Sequence, residues 1–148
     1  MPSIFAKLRK VCYLPTFPFI HQTTSFMSYL QKIQDMYRMI NEGKTMEALE
    51  QYYHDDVVVI DGKEAPRRGK QAQREAMHQW FGMIKDMHGG GVGAITANEA
   101  EGVTSVESWT EVTFQDGKRV NMEEVGVQKW QGDQIIHERF YYSMPEMS

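Results

Sequence analysis

The stretch "INEGKTMEALEQYYHDDVVVID", residues 40–61, combines a helix end, a short helix and a strand. Gly43 suits the position just after a helix, where a left-handed backbone is common. Thr45 can cap a second, short helix. The valines at 57–59 lose rotamer freedom in a helix but pack well on a sheet. The stretch therefore predicts a helix end, a second helix and a first strand that ends at Asp61.

A longer helix precedes this stretch. It begins at Ser28, which has capping-box spacing with Gln31. Its apolar positions recur at helical intervals and define one buried face. The members of that face are Tyr29, Ile33, Met36, Tyr37 and Ile40.

The chain after Asp61 predicts one more helix and a set of strands. The helix covers about residues 70–87, with Trp80 on its buried face. The run "HGGGVG", residues 88–93, is interpreted as a flexible connection. Four strands follow, at about 92–100, 103–115, 118–130 and 134–143. This order predicts an α+β fold, with the helices gathered on one face of a curved sheet.

Composition limits the classes of partner and the compartment. The 148 residues suffice for one domain with a core, and no apolar run approaches the roughly 20 residues that span a bilayer. Residues 1–26 carry three basic and no acidic side chains, which leaves the rest with 13 basic and 20 acidic residues. Such an acidic body repels nucleic acid. The single cysteine, Cys12, permits no intrachain disulfide, so we expect a reducing, cytoplasmic location.

Residues 1–26 form a separate segment of basic and then apolar residues. A secretory signal has a similar order, but Pro15 and Pro18 interrupt the apolar part and no small-residue cleavage site follows. We expect an N-terminal extension outside a single domain of residues 27–148.

Three phrases in this order resemble the nuclear transport factor 2-like superfamily, and its SnoaL-like members in particular: "INEGKTMEALEQYYHDDVVVID", "RRGKQAQREAMHQWF" and "VQKWQGDQIIHERFYY". The resemblance implies a cone-shaped half-barrel, in which three helices pack on the concave face of a curved, mixed, mostly antiparallel sheet. It also implies a cavity for a small organic ligand and a homodimer formed through the convex face. Members of the superfamily include ketosteroid isomerase, scytalone dehydratase, polyketide cyclases and binding modules without catalysis.

Ketosteroid isomerase gives the most specific comparison. It uses an Asp general base and an oxyanion hole made of a Tyr and a protonated Asp. By resemblance, Asp61 takes the position of the base and Tyr37 that of the oxyanion-hole Tyr, 24 residues apart. The position of the protonated Asp holds Gly126. Glu138, diagonal to Gly126 on the next strand, is expected to use the vacated room as a neutral donor, since burial disfavours a charged carboxyl.

Turn lengths predict which side chains share the concave face. A two-residue turn at Asp116-Gly117 pairs Trp109 with Glu124, and a three-residue turn at 132–134 pairs Gln128 with Glu138. A two-residue final turn would instead turn His137 inward with every second residue after it. The predicted concave set is Trp109, Glu111, Thr113, Met122, Glu124, Gln128, Trp130, Ile136, Glu138, Phe140 and Tyr142. Phe114, Val125 and Val127 are assigned to the convex, dimer-forming face.

These assignments predict a site for a small organic molecule. Its catalytic residues are Asp61, Tyr37 and Glu138, and the chemistry is proton transfer next to a carbonyl. Its ligand-binding residues are Trp80, Trp109, Glu111, Met122, Glu124, Gln128, Phe140 and Tyr142. The histidines lack metal-site spacing, so we expect neither metal nor cofactor.

Alternatives remain open for the acids and for the function. Asp61 could pair with Arg67 or Arg68 instead of acting as a base, and Tyr37 could be an ordinary core aromatic. The three glutamates of the concave set could pair with arginines, be protonated, or face a basic or polyhydroxylated ligand. Glu111 and Glu124 could instead lie at the open, wet end of the sheet. A non-catalytic binding module and an interaction protein with a vestigial pocket are the alternatives to an enzyme.

Overall fold

The computed structural model describes residues 26–142. The predicted extension, residues 1–26, lies outside the described part of the chain except for its last residue, as do residues 143–148. The described residues form three helices and six strands. In chain order they are α1 (Tyr29–Asn41), α2 (Thr45–Tyr52), β1 (Tyr53–Asp61), β2 (Arg67–Arg68), α3 (Lys70–Met83), β3 (Ile84–Asn98), β4 (Val103–Phe114), β5 (Arg119–Gln131) and β6 (Gln134–Tyr142).

The strands form one open sheet in the order β2-β1-β6-β5-β4-β3. Only β1 and β6 pair in parallel, and every other pairing is antiparallel. The three helices pack against this sheet, so the predicted α+β half-barrel with a mixed, mostly antiparallel sheet is confirmed. No helix within residues 26–142 has the length and apolar character needed to cross a membrane.

Helix α1 begins with the predicted capping box. The Ser28 hydroxyl accepts a hydrogen bond from the Gln31 amide (3.1 Å), and the Gln31 side chain accepts one from the Ser28 amide (2.9 Å). Glu99, in the turn after β3, accepts from the amides of Tyr29 and Leu30 at 2.9 Å each. These bonds satisfy N–H groups that the first turn leaves unpaired, and they tie α1 to the sheet.

The hydrophobic core lies between α1, α2 and the sheet. Val57 and Val59 of β1 point into it, while Val58 between them is only half-buried, as the two-residue period of a strand requires. The buried core cluster comprises Ile33, Met36, Tyr37, Met39, Ala48, Leu49, Tyr52, Tyr53, Val57, Val59, Val106, Trp130 and Ile135.

Helix α3 is shorter and more exposed than the sequence predicts. It ends at Met83 rather than near residue 87. Only Lys70 and Gln73 in it are buried, and Phe81 of the predicted apolar face is 39% exposed. The helix therefore covers the sheet loosely and leaves one end of the concave face open.

The glycine-rich run lies inside β3, so the predicted flexible connection is wrong. Trp109 of the neighbouring strand β4 lies across the run. A Cβ atom added at Gly91 would stand 2.6 Å from Trp109 Nε1. A Cβ atom at Gly93 would stand 2.6 Å from a carboxylate oxygen of Glu107. Glycine in a strand commonly marks such a close approach, and here it makes room for two side chains of the neighbouring strand.

The hairpin between β4 and β5 has a longer turn than predicted. The amide of Phe114 donates to the carbonyl of Lys118 (2.9 Å), and Gly117 has a φ of 87° within the three-residue loop 115–117. Trp109 consequently pairs with Glu123 instead of Glu124. Because side chains alternate along a strand, one extra loop residue moves every side chain of β4 to the opposite face.

The concave face of β4 therefore differs from the prediction. Thr104, Val106, Ser108, Thr110 and Val112 pair with the concave residues of β5. Trp109, Glu111 and Thr113 lie on the convex face. Phe114 shares the concave face and packs edge-to-face on Trp80 of α3, with ring centroids 5.5 Å apart, so its convex assignment is wrong.

The hairpin between β5 and β6 combines a short turn with a bulge. Gln131 pairs with Gln134, so the turn has two residues, but the register shifts between the Lys129 and Trp130 pairs. Trp130 pairs with Ile135, while Gln128 pairs with Glu138 as predicted. The fully buried Ile135 takes the place predicted for Ile136, and the concave placement of Glu138, Phe140 and Tyr142 is confirmed.

Candidate functional site

A chain of hydrogen bonds between buried side chains crosses the concave face of β4, β5 and β6. Trp130 Nε1 donates to Thr104 Oγ1 (2.9 Å), and Thr104 Oγ1 donates to Gln128 Oε1 (2.8 Å). Gln128 Nε2 then donates to Glu138 Oε1 (2.9 Å). The hydroxyl of Tyr53, on β1, donates to the other oxygen of Glu138. Thr104, Gln128 and Glu138 have no solvent exposure, so this is a closed polar network inside the core.

Burial raises the pKa of Glu138 to about 6, while the hydrogen bonds from Tyr53 and Gln128 act in the opposite direction. Both carboxyl oxygens already accept a hydrogen bond. This geometry suits an ionised acceptor better than the neutral donor expected from the sequence. The vacated room at Gly126 is also taken, since a Cβ atom there would lie 2.8 Å from Gln128 Nε2 and 3.1 Å from the Phe140 ring.

Glu124 is a second carboxyl on this face, and it is only half-buried. It makes no hydrogen bond or ion pair with any residue in the described range 26–142. Burial raises its pKa to about 7, with further contributions from the negative charges of Asp61 and Glu138. Glu124 can therefore take up or release a proton near neutral pH.

Tyr37 reaches the same face from α1. It is 9% exposed and belongs to the buried core cluster. Burial raises the pKa of Tyr37 well above its ordinary value, and the charges of Glu138 and Glu124 raise it further. The phenol is therefore neutral at physiological pH and can donate a hydrogen bond.

Two open clefts lead to these residues. One, of about 360 Å³, lies between α1 and β3 and has Tyr37, Val92 and Ile95 in its lining. The other, of about 370 Å³, reaches Glu124 and Tyr142 but is lined otherwise by convex residues of β4, β5 and β6, namely Glu107, Glu123, Val125 and Tyr141. The first cleft therefore borders the buried Tyr37, and the second reaches Glu124 from the side of the sheet opposite to the helices.

Asp61 stands at the end of β1, as predicted, but it forms an ion pair. Its Oδ2 atom lies 3.2 Å from the guanidinium of Arg67, which also contacts Glu64 and Gln73 at 3.0 Å each. Burial raises the pKa of Tyr142, and the nearby charge of Asp61 raises it further. Tyr37 and Asp61 share no hydrogen bond within the described chain. The structure thus does not join the two residues that the resemblance paired.

Three residues of the predicted binding set lie elsewhere. Trp109 is on the convex face, 41% exposed, against the glycine run of β3. Glu111 is also convex and pairs with Arg119 at 2.9 Å. Their concave placement is wrong for the reason given above, the extra loop residue. Trp80 packs on Phe114 at the open end of the sheet.

Comparison with known proteins gives the family. A sequence profile described as "SnoaL-like domain" matches residues 27–142. The chain belongs to the SnoaL-like family. The sequence has no significant match among curated proteins.

Solved structures support this SnoaL-like assignment. A protein from Mesorhizobium loti, provisionally assigned as a SnoaL-like polyketide cyclase, is 28% identical with a TM-score of 0.71, and the match covers 78% of this chain and all of that one. An NTF2-like protein of unknown function from Burkholderia pseudomallei is 12% identical (TM-score 0.68, coverage 79% and 92%). An LEH-like epoxide hydrolase from M. tuberculosis is 14% identical (TM-score 0.62, coverage 78% and 82%). The predicted family is confirmed, and the two more distant structures share the fold.

The structure adds three residues that the sequence did not indicate. Thr104 and Ser108 would have been found by choosing a three-residue loop before β5, because both then alternate onto the concave face. Tyr53 gave no such signal, since it follows a helix directly and reaches Glu138 through parallel pairing of β1 with β6. Among residues 26–142, no three His, Cys, Asp or Glu side chains form a group suited to a metal ion.

Proposed function

We propose that this SnoaL-like protein binds a small organic molecule against the concave face and transfers a proton on it without a cofactor. The observation that carries this proposal is the environment of the Glu124 carboxyl. This carboxyl is half-buried on the concave face with no partner among residues 26–142, and its pKa is raised to about 7. A proton-transfer group works best when its pKa lies near the working pH.

The other two acids fit the role less well. Asp61 is held in an ion pair by Arg67, so one of its carboxylate oxygens is already occupied. Glu138 is enclosed, and both of its oxygens are occupied. Among the three acids, Glu124 alone combines access with an unoccupied carboxyl, so we assign it the transferring role that the sequence had suggested for Asp61.

Tyr37 supplies the complementary group. When a proton is removed next to a carbonyl, negative charge develops on the carbonyl oxygen, and a preorganised donor stabilises it. The neutral phenol of Tyr37 can donate in this way from α1. The names of related structures, which include polyketide cyclase, isomerase and epoxide hydrolase, support a small organic substrate as a class.

Proton exchange tests this proposal with simple carbonyl compounds in place of the natural substrate. Small cyclic ketones and 1,3-diketones are incubated with the protein in D₂O, and loss of the α-proton is followed by proton NMR. We expect faster exchange for at least one compound, and a loss of about 10²-fold or more in Glu124→Gln, the size typical for a general base. Glu111→Gln, on the convex side of the neighbouring strand, is the matched control and should exchange like the wild type.

A non-catalytic binding module is the second candidate. Gly126 favours it, because the position lacks the acid that completes the isomerase set. Native mass spectrometry of the purified protein would then show a bound organic molecule, while no compound in the exchange assay reacts faster than with buffer. The same spectrum reads the oligomeric state, for which we propose a homodimer through the convex face, where Val125 and Tyr141 are exposed.

A further inference from the structure

The chain of hydrogen bonds from Trp130 through Thr104 and Gln128 to Glu138 has one direction of donation, which the chemistry of its members fixes. The indole N–H of Trp130 can only donate, so Thr104 Oγ1 must accept at that end. The Thr104 hydroxyl proton then goes to Gln128 Oε1. With its oxygen occupied, the Gln128 amide directs its N–H₂ group at Glu138. The chain therefore begins at an obligate donor and ends at a carboxyl.

The reversed orientation of the Gln128 amide would be less favourable. In the flipped state the amide N–H would point at Thr104, the Thr104 proton would lose its acceptor, and the amide oxygen would face Glu138. That arrangement requires a protonated Glu138, and it leaves a hydroxyl proton unpaired at a position with no solvent exposure. A buried unpaired donor is costly. The direction observed is thus the one that favours a Glu138 anion.

We propose that Trp130, Thr104 and Gln128 are positioning residues whose one-way chain holds Glu138 as a carboxylate anion inside the concave site. Tyr53 completes this arrangement by donating to the second oxygen. Glu138 then acts through its fixed charge rather than by exchanging a proton with the ligand.

Other charged and titratable groups near Glu138 also influence its ionisation. From β1 the charge of Asp61 disfavours the anion, and from β2 Arg67 favours it. Tyr37 on α1 and Glu124 on β5 both sense the charge of Glu138, since each has its pKa raised by it. The anion therefore helps to keep Glu124 a strong enough base for neutral pH. This last consequence rests on the function proposed above, whereas the state of Glu138 does not.

Carbon-13 NMR titration of the glutamate carboxyls tests the chain without any substrate. Glu138→Gln and Glu124→Gln assign the two signals. In the wild type we expect Glu138 to be mainly ionised at pH 7. In Thr104→Val, which removes the hydroxyl but keeps the shape, Gln128 is free to flip, and the Glu138 midpoint should rise by about one pH unit. Thr104→Ser keeps the hydroxyl and should titrate like the wild type.

Two results would overturn the proposal: a wild-type Glu138 that stays protonated at pH 7, or equal titrations of Thr104→Val and the wild type. If the valine variant does not fold, as judged by circular dichroism, the wild type alone supplies the test. Its Gln128 N–H₂ signals should shift with the ionisation of Glu138, and they should stay constant over that pH range if the amide is reversed. If no compound exchanges faster in the proton-exchange assay but the titration behaves as expected, the proposed function is rejected. The proposed role of the hydrogen bonds from Trp130 to Glu138 is then retained.

Discussion

The two ends of the concave face differ in how well their helices cover the sheet. At the closed end, α1 buries Ile33 and Met36 in one core cluster that also contains Val57 and Val59 of β1. At the open end, the C-terminal part of α3 and the start of β3 leave long apolar side chains in solvent, and Met83 is 51% exposed. The hydrogen-bonded chain from Trp130 to Glu138 is enclosed in the core, while Glu124 is only half-buried. Stability and access are thus assigned to different parts of one sheet.

Truncating a side chain to alanine should lower the free energy of unfolding much more at the closed end than at the open end. Ile33→Ala removes a fully buried side chain from the closed end, and we expect the free energy of unfolding to fall by about 3 kcal/mol, within the usual range of about 2–5 kcal/mol. Met83→Ala at the open end is the matched control, with an expected change within about 0.5 kcal/mol. Urea unfolding followed by circular dichroism measures both. Equal losses at the two sites would show that the ends do not differ in packing.

The closed end was also the easier one to predict from the sequence. The capping box at Ser28, the helix end near Gly43 and the valine strand are local signals, so α1, α2 and β1 are close to their predicted positions. The predicted orientation of the β4 side chains was wrong because "QDGK" suits turns of two or three residues. A difference of one loop residue decides which face Trp109 occupies. That choice depends on how the whole hairpin packs.

The site shows a second limit of sequence reasoning. The concave placement of Glu138 was correct only because two errors cancelled: the last turn is one residue shorter than predicted, and the bulge beside Trp130 restores the register. The contact between Tyr53 and Glu138 joins residues 85 apart through parallel strands. No local pattern contains such a pairing. The sequence could therefore suggest the candidate acids but not their partners.

The pH dependence of stability should show the accessible acid directly. Glu124 holds its proton more tightly when folded, because burial raises its pKa from the ordinary 4.5 to about 7. Its contribution to stability is therefore complete below about pH 4.5 and is lost as the pH rises to about 7. Glu124→Gln avoids that loss. After allowance for partial solvation, we expect the variant to be more stable than the wild type by about 1–2 kcal/mol at pH 8 and equal to it at pH 4.5.

Urea unfolding at both pH values measures this difference. Glu123→Gln is the control on the same strand, since it makes the same change at an exposed side chain. If Glu124→Gln were instead less stable at pH 8, the Glu124 anion would have a stabilising partner, and its role as a free proton-transfer group would be lost.

Two glycines, one at the open end and one in the middle of β3, give the smallest expected effects. Gly82 lies near the end of α3, and a Cβ atom there would meet nothing within 4 Å, so Gly82→Ala should stabilise the protein by about 0.5 kcal/mol through helix propensity. Gly91→Ala should do the opposite, by about 1 kcal/mol, because the new methyl group meets the Trp109 indole. Thermal unfolding resolves both signs. A destabilising Gly82→Ala would mean that the C-terminal part of α3 packs against something in solution, and the open end would then be covered rather than free.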